Sequence, residues 1–259
     1  WWCQGFSEPD AGSDLASLQT SAESDGDDYI INGTKIWTTY AHYANKIFCL
    51  VRTRKDCKPQ EGITFLLMDM NTPGITVEPI IGLDMVREQN TVFFDNVRVP
   101  KANRIGAEND GWTVAKYLLM FERGGQEYAP ALHHGLNKVK EMAAVEAGSF
   151  GGRLADDAAF MRRVNEVEIE ITALEFTENR IKAALGSGQS PGALASMTKI
   201  LGTEISQKVT ELAIEAVGVY GLPLQVDAIQ PGANLPFIGP EYALTAMPRY
   251  LNTRATTIY

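Results

Sequence analysis

Residues 1–105 show the alternating pattern of short β-strands. Runs rich in Val, Ile, Phe, Tyr and Thr recur at regular intervals, separated by turn signals such as the Thr-Pro-Gly triplet at residues 72–74. Within residues 27–39, Asn32-Gly33 lies between two such runs and predicts the turn of a β-hairpin. Further strands are predicted over residues 46–53, 62–70, 74–80 and 90–100. Many short strands at this spacing indicate a small β-barrel or β-sandwich.

The hydrophobic period changes to that of amphipathic helices from Asn109 onward. A long helix is predicted from near Asp110, and Pro130 should kink or interrupt it because proline lacks an N–H donor. A second helix is predicted over residues 155–186, a third over 190–218 and a shorter one over 240–252. Three long amphipathic helices predict an antiparallel bundle. We therefore expect an α+β protein with a β-domain over residues 1–107 and a helical domain over residues 108–259.

Composition narrows the classes of function. The 259 residues carry a net charge of −9, and an acidic surface argues against nucleic acids and anionic membranes as partners. No apolar run is long enough to span a bilayer, and we expect no signal peptide. The three cysteines and three histidines lack the spacing of a metal site or redox motif, which predicts no metal and a reducing, cytoplasmic location. A start at Trp1 without methionine and a stop at Tyr259 without a capping signal predict a fragment of a longer protein.

One candidate for catalysis is the segment Glu122-Arg123-Gly124-Gly125. Two glycines inside a helix are unfavourable by about 1 kcal/mol each relative to alanine, and they permit close approach to the helix backbone. Glu122 follows an apolar run, and a carboxylate that faces an apolar cavity has a raised pKa and is a competent base. The alternative is an ordinary Glu-Arg step on a solvated helix face.

Two further segments have the chemistry of a ligand site. The indole of Trp37 can cover a planar ligand, and a threonine hydroxyl beside it can donate to a ring nitrogen. The alternative is a core tryptophan flanked by threonines at β-favoured positions. The loop over residues 6–17 holds two carboxylates ahead of a Gly-Ser step, and on its own it is typical of a solvated turn.

Five segments follow one another along the chain: CQGFSEPDAGSDLASL, GDDYIINGTKIWTTYAHYA, EGITFLLMDMNTPGITV, VFFDNVRVPKANRIGAENDGW and LLMFERGG. In order and spacing they resemble the acyl-CoA dehydrogenase family, over its middle β-domain and most of its C-terminal helical domain. The family's N-terminal helical domain and last helix have no counterpart in these segments. The resemblance implies an FAD-dependent enzyme of fatty-acid β-oxidation that converts an acyl-CoA thioester to the trans-2-enoyl-CoA. It also implies electron transfer to an electron-transfer flavoprotein, and a homo- or hetero-oligomer, either a dimer or a tetramer.

The resemblance implies roles for individual residues. The loop Phe6 to Ser13 is expected along the flavin and the pyrophosphate, with Trp37 covering the flavin and Thr39 bonded to its reactive ring nitrogen. The full set expected at FAD is Gln4, Phe6, Ser7, Gly12, Ser13, Trp37, Thr38 and Thr39. The set expected at the acyl-CoA is Ser13, Arg123 and Tyr259.

The catalytic base has two possible placements in this family. Many relatives carry a glutamate one residue beyond the position that matches Tyr259, outside this chain. Other branches place the base at the position that matches Glu122, and the Glu-Arg pair here resembles that second branch. Glu122 is therefore the predicted base.

Two positions depart from the family pattern. Ala147 and Gly148 stand where an arginine is usual ahead of the Phe-Gly step at residues 150–151, and Glu215 stands where a glutamine is usual. In the family both positions reach the cofactor of a neighbouring subunit, and a carboxylate near a pyrophosphate is repulsive. Two alternatives therefore stay open: a non-catalytic structural subunit of a heteromeric dehydrogenase, and a flavin oxidase or monooxygenase on the same fold.

Overall fold

The structure is a computed structural model that describes residues 1–125, 127–148, 151–189, 192–230 and 232–259, without the side chains of residues 121–125. Eight strands occupy its first part, in one hydrogen-bonded sheet. They are β1 (Trp2–Gly5), β2 (Ser21–Asp25), β3 (Asp28–Lys35), β4 (Lys46–Arg52), β5 (Ile63–Asp69), β6 (Ile75–Ile81), β7 (Arg87–Pro100) and β8 (Arg104–Ile105). The sheet order is β6-β7-β3-β2-β4-β5-β8, and β1 pairs in parallel with β4.

Strands β4 and β5 bury both of their faces along most of their length, which is why their sequences are almost entirely apolar. On β4, Ile47, Cys49 and Val51 belong to one core cluster, whereas Leu50 belongs to a second. The second cluster also includes Ala115, on the helix that follows the sheet. Side chains alternate between the faces of a strand, so a strand between two cores cannot show the apolar–polar alternation of a strand with one face in solvent.

The hairpin predicted at Asn32-Gly33 is wrong in its position. β2 and β3 pair down to Asp25 and Asp28, and the turn between them uses Gly26, whose φ is +58°. Gly33 lies inside β3, where the pairing with β7 shifts register. A Cβ atom at Gly33 would lie 2.5 Å from Thr20 Oγ1, so glycine serves a close approach between chain segments at this position.

Beyond the sheet, the described residues form five α-helices: α1 (Gly111–Gly125), α2 (Ala129–Val145), α3 (Ala158–Gly186), α4 (Leu194–Val217) and α5 (Ala246–Thr253). The interruption predicted from Pro130 is present, because α1 ends at Gly125 and α2 begins at Ala129. Pro130 itself lies in the first turn of α2, where its missing N–H breaks no helical bond. Glu178 of α3 caps the start of α2, because its buried carboxylate accepts the backbone N–H groups of Tyr128 (2.7 Å) and Ala129 (3.3 Å).

Helices α2, α3 and α4 share one apolar core. Their spacing of apolar residues places one face of each helix in a single cluster, which includes Leu136, Ile171 and Val209. Together with the sheet, this bundle confirms the predicted α+β class.

Compactness divides the chain into two units. One consists of residues 1–82 and 86–120, and the other of residues 83–85 and 121–259. The domain boundary predicted between residues 107 and 108 stays a prediction. Among the described residues, no helix combines the length and apolar character needed to cross a membrane, and no cluster of His, Cys, Asp or Glu has a geometry suited to a metal ion.

Candidate functional site

The loop that begins at Phe6 starts in the core and ends in solvent. The Phe6 ring is buried edge-on against Phe48 (5.8 Å between ring centroids) and Phe65 (6.1 Å). Reciprocal backbone hydrogen bonds of 3.0 Å between Glu8 and Ala11 then fold the chain into a tight turn. Beyond it, the exposed Gly12 has open space on its Cβ side, with no heavy atom within 4 Å among the described residues. A ligand can therefore approach the backbone at Gly12 without displacing a side chain.

A buried ion pair fixes this loop to the end of β3. Lys35 is fully buried, and its Nζ donates to Glu8 Oε1 at 2.7 Å and to the carbonyl oxygen of Phe6 at 3.0 Å. Glu8 also accepts the backbone N–H groups of Gln19 (2.5 Å) and Thr20 (2.9 Å). Burial alone would raise the pKa of the Glu8 carboxyl, but the Lys35 ammonium and these hydrogen bonds hold it below its ordinary value. The carboxylate is therefore ionised and fully engaged, in a structural role.

Sequence reasoning missed this pair. In the sequence, Glu8 is one of two carboxylates in a loop that is typical of a solvated turn, and Lys35 lies within a predicted strand with no indication of a partner. A lysine that follows an alternating apolar run at a core-facing position is a usable signal, because a buried lysine requires a partner.

The segment over residues 37–40 has an unusual backbone. Trp37 and Tyr40 have φ values of +59° and +51°, in the left-handed region that is unfavourable by about 1–2 kcal/mol for residues other than glycine. Two backbone hydrogen bonds to β7 hold the segment, from Thr38 N to the Asn90 oxygen (2.9 Å) and from Tyr40 N to the Glu88 oxygen (2.8 Å). The Trp37 side chain is left 59% exposed, against the alternative that it is a core tryptophan.

The two threonines beside Trp37 differ in their surroundings. Thr38 is buried, and its Oγ1 has no hydrogen-bond partner among the described residues. Thr39 is exposed, and its hydroxyl donates to Gln89 Oε1 at 3.2 Å. A buried hydroxyl without a partner is costly unless a ligand or water satisfies it, so Thr38 marks a place where a bound group would gain a hydrogen bond.

The structure brings the first loop and this segment together. Ile36 N donates to the carbonyl oxygen of Ser7 at 2.9 Å, so Ser7 contacts the residue that precedes Trp37 in the chain. Gln4 lies half-buried on β1, paired with Phe48 of β4. Ser13 is exposed beyond the tight turn, next to Gly12.

The predicted residues of the second unit are only partly described. Glu122 and Arg123 lie on α1, but their side chains are outside the described part of the structure, as are Ser149 and Phe150. Tyr259 is exposed, with Lys199 Nζ 5.8 Å from its ring centroid. Lys199 also donates to the carbonyl oxygens of Thr256 (2.8 Å) and Tyr259, which fixes this segment to α4.

The carboxylate of Glu215 is paired. Arg163 Nη2 of α3 donates to Glu215 Oε1, and both side chains are about half exposed. The charge of Glu215 is therefore offset within its own unit, which weakens the expected repulsion of an anionic cofactor.

Comparison with known proteins gives matches over both units. Residues 3–97 match the family model described as "Acyl-CoA dehydrogenase, middle domain", and residues 109–259 match "Acyl-CoA dehydrogenase, C-terminal domain". Acyl-CoA dehydrogenase IpdE1 of Mycobacterium tuberculosis is 34% identical over 266 residues, which cover 100% of this chain and 62% of that protein. Acyl-CoA dehydrogenase FadE34 of the same organism is 38% identical over 221 residues, covering 85% of this chain and 30% of that protein.

A solved structure also matches nearly the whole chain. A chain of the ChsE4–ChsE5 complex from Mycobacterium tuberculosis superposes with a TM-score of 0.80 at 31% identity, over 98% of this chain and 64% of that one. The present chain thus spans less than two thirds of the length of these relatives.

Proposed function

The chain belongs to the acyl-CoA dehydrogenase family, and we propose that the whole protein is an FAD-dependent acyl-CoA dehydrogenase. In this proposal it converts an acyl-CoA thioester to the trans-2-enoyl-CoA, passes the electrons to an electron-transfer flavoprotein, and acts in the cytoplasm in β-oxidation. The observation that carries the proposal is the match to both family domains in order, over residues 3–97 and 109–259.

The residues of the first unit fit a flavin. The exposed indole of Trp37 offers an aromatic face, and the buried Thr38 hydroxyl, without a partner among the described residues, offers a hydrogen bond. Open space at Gly12 suits the close approach of a pyrophosphate to backbone. The residues that would hold FAD are Gln4, Phe6, Ser7, Gly12, Ser13, Trp37, Thr38 and Thr39. When bound, FAD supplies the acceptor for the hydride that leaves the substrate β-carbon.

The remaining chemistry belongs to residues of the chain. Glu122 is proposed to remove the proton from the α-carbon of the acyl group. That proton is acidic enough only when hydrogen-bond donors stabilise the negative charge that develops on the thioester oxygen. Ser13, Arg123 and Tyr259 are proposed to bind and orient the acyl-CoA, so that its α-proton faces the carboxylate. Gly124 and Gly125, next to the proposed base, leave space suited to a bulky, branched or long acyl group.

The base is tested by Glu122→Gln in the full-length protein, with the exposed Glu127→Gln as the matched control. Glu127 lies five residues along the chain and forms an exposed salt bridge with Lys182 (2.8 Å). We expect Glu122→Gln to retain FAD and to lose turnover by at least about 100-fold, the scale of a general base, with Glu127→Gln unchanged. Full turnover in Glu122→Gln would show that the base lies elsewhere, such as beyond Tyr259.

A second candidate function is that of a non-catalytic subunit in a heteromeric acyl-CoA dehydrogenase. Two observations favour it: the relative solved as a ChsE4–ChsE5 complex, and Ala147 in place of the usual arginine. The same assays distinguish it, because such a subunit would bind no FAD and turn over no acyl-CoA until a second subunit is added. Hydrogen peroxide formed without an added acceptor would instead indicate an oxidase.

A further inference from the structure

Asn90 is a fully buried amide that uses all of its hydrogen-bonding capacity. Its Nδ2 donates to the carbonyl oxygens of Thr38 (3.0 Å) and Glu88 (3.2 Å). Its Oδ1 accepts Arg87 Nε at 3.2 Å and lies 3.1 Å from His42 Nδ1. An amide oxygen can only accept, so His42 carries its proton on Nδ1 in this arrangement. The four bonds also fix the amide orientation, because a flipped group would place NH₂ against Arg87 and oxygen against two carbonyls.

The same residue clamps Thr38 from both sides of its peptide backbone. The Asn90 main-chain oxygen accepts Thr38 N at 2.9 Å, while its side chain donates to the Thr38 oxygen at 3.0 Å. The residues around Thr38 are the left-handed Trp37 and Tyr40. A strained backbone of this kind persists only where neighbouring groups over-determine it, and Asn90 supplies two of the bonds that do so here.

His42 adds a second connection. It follows Tyr40 by two residues, and its ring packs against Tyr43 with centroids 4.0 Å apart. Through Thr38 and His42, the Asn90 side chain is bonded within the strained segment and two residues beyond it. Loss of the Asn90 amide would therefore remove the bonds to the Thr38 oxygen and to His42 and leave the segment held by its two backbone bonds to β7.

We propose that Asn90 is a positioning residue, which sets the orientation of the Trp37 indole and the Thr39 hydroxyl through its bonds to Thr38 and His42. This inference rests on the proposed function, in which Trp37 and Thr39 face the flavin. Asn90 itself touches neither of these side chains in the described network, so its effect on a bound flavin is indirect. No catalytic role is assigned to it.

The test uses full-length protein with Asn90→Ala and Asn90→Asp. The matched control is Thr91→Ala, at the half-buried next position on β7, whose hydroxyl is outside this network. Hydrogen exchange of the Thr38 and Tyr40 amides is measured first, without flavin. Asn90→Ala is expected to speed exchange at both amides at least about tenfold, while the β7 amides from Val92 onward stay as in the wild type.

Flavin binding gives the second readout. Asn90→Ala is expected to weaken FAD binding at least about tenfold and to alter the visible spectrum of the bound flavin, with Thr91→Ala as in the wild type. Asn90→Asp places an oxygen against two carbonyl oxygens, and it is expected to behave like Asn90→Ala rather than to rescue it. Should Asn90→Ala fail to fold, His42→Phe removes one bond of the network and is expected to cause smaller changes in the same direction.

Two results would overturn the inference separately from the proposed function. Exchange at Thr38 and Tyr40 that is unchanged in Asn90→Ala would remove the positioning role, whether or not flavin binds. FAD affinity and spectrum equal to those of Thr91→Ala would show that the clamp does not reach the ligand. A wild-type protein that binds no FAD would overturn the proposed function, and with it the flavin part of this inference.

Discussion

Replacement of Lys35 by methionine should destabilise the first unit more than any exposed salt bridge can. Lys35 has no solvent exposure and Glu8 is only 7% exposed, so the variant leaves a carboxylate buried without its counter-ion. Methionine has a similar length and apolar stem, and it fills the volume that the lysine chain occupied. The effect therefore reports on the lost bonds of the ammonium, to Glu8 and to the Phe6 carbonyl oxygen, and not on a cavity.

The size of the destabilisation by Lys35→Met depends on the hydrogen bonds that Glu8 retains. Removing one partner of a buried pair typically destabilises a protein by about 3–5 kcal/mol. Glu8 retains the backbone N–H groups of Gln19 and Thr20, at 2.5 and 2.9 Å, so the lower end of that range, about 3 kcal/mol, is expected. The first unit lies in size between the 60–100-residue and 150–250-residue classes, so about 4 °C per kcal/mol applies and the melting temperature should fall by roughly 12 °C.

The assay is urea and thermal unfolding of Lys35→Met, with Lys46→Met as the control. Lys46 pairs with Asp69 at 2.5 Å, but the two side chains are 44% and 47% exposed, so a loss of about 1 kcal/mol or less is expected. The double variant Lys35→Met/Glu8→Gln should recover part of the loss, with a coupling free energy of about 1–3 kcal/mol. Equal destabilisation by Lys35→Met and Lys46→Met, or strictly additive effects, would refute the buried-pair argument.

Three further predictions concern stability. The pKa of Glu8 is lowered below its ordinary value of 4.5, so the contribution of this carboxylate to folding stability is fully present above about pH 4.5 and is lost as the pH falls through the lowered value. The difference in unfolding free energy between the wild type and Glu8→Gln should therefore shrink on acidification, and growth of that difference would contradict the prediction. Glu178→Leu leaves two N–H groups at the start of α2 without their acceptor and should destabilise the second unit by about 1–3 kcal/mol in urea unfolding, against little change for the exposed Glu175→Leu. Gly202→Ala places a Cβ 2.3 Å from Tyr128 Cγ and should lower stability by about 1–3 kcal/mol, and an unchanged melting temperature would show that the Tyr128 ring moves aside freely.

The sequence was sufficient for the positions of most elements, because their signals are local. β4, β5 and β6 lie within one or two residues of the predicted runs, since apolar runs between turn residues are specific to short strands. The hairpin at Asn32-Gly33 failed because the same dipeptide that permits a tight turn also permits a close approach to Thr20, and only the folded chain distinguishes these uses.

The residues of the candidate site were inferred from the family pattern and stay a prediction, whereas the contacts that hold them in place had no comparable signal in the sequence. Lys35 and Glu8 are 27 residues apart, and no local pattern states that they pair. The sequence gives only a weak indication that Asn90 is buried. Asn90 lies on the same, core-facing side of β7 as Val92 and Phe94, so it places a polar side chain at a core position. Which groups would satisfy that amide depends on the register between β7 and residues 38–42, which the sequence alone does not give.

The central claim is that the whole protein oxidises an acyl-CoA with a bound flavin. The most direct measurement is the visible absorption spectrum of the purified full-length protein, before and after anaerobic addition of a panel of acyl-CoAs of different length and branching. The account predicts a flavin spectrum that bleaches with one class of acyl-CoA and stays unchanged with the corresponding free acids. A protein that remains colourless after addition of FAD, or a flavin that no acyl-CoA reduces, would contradict it.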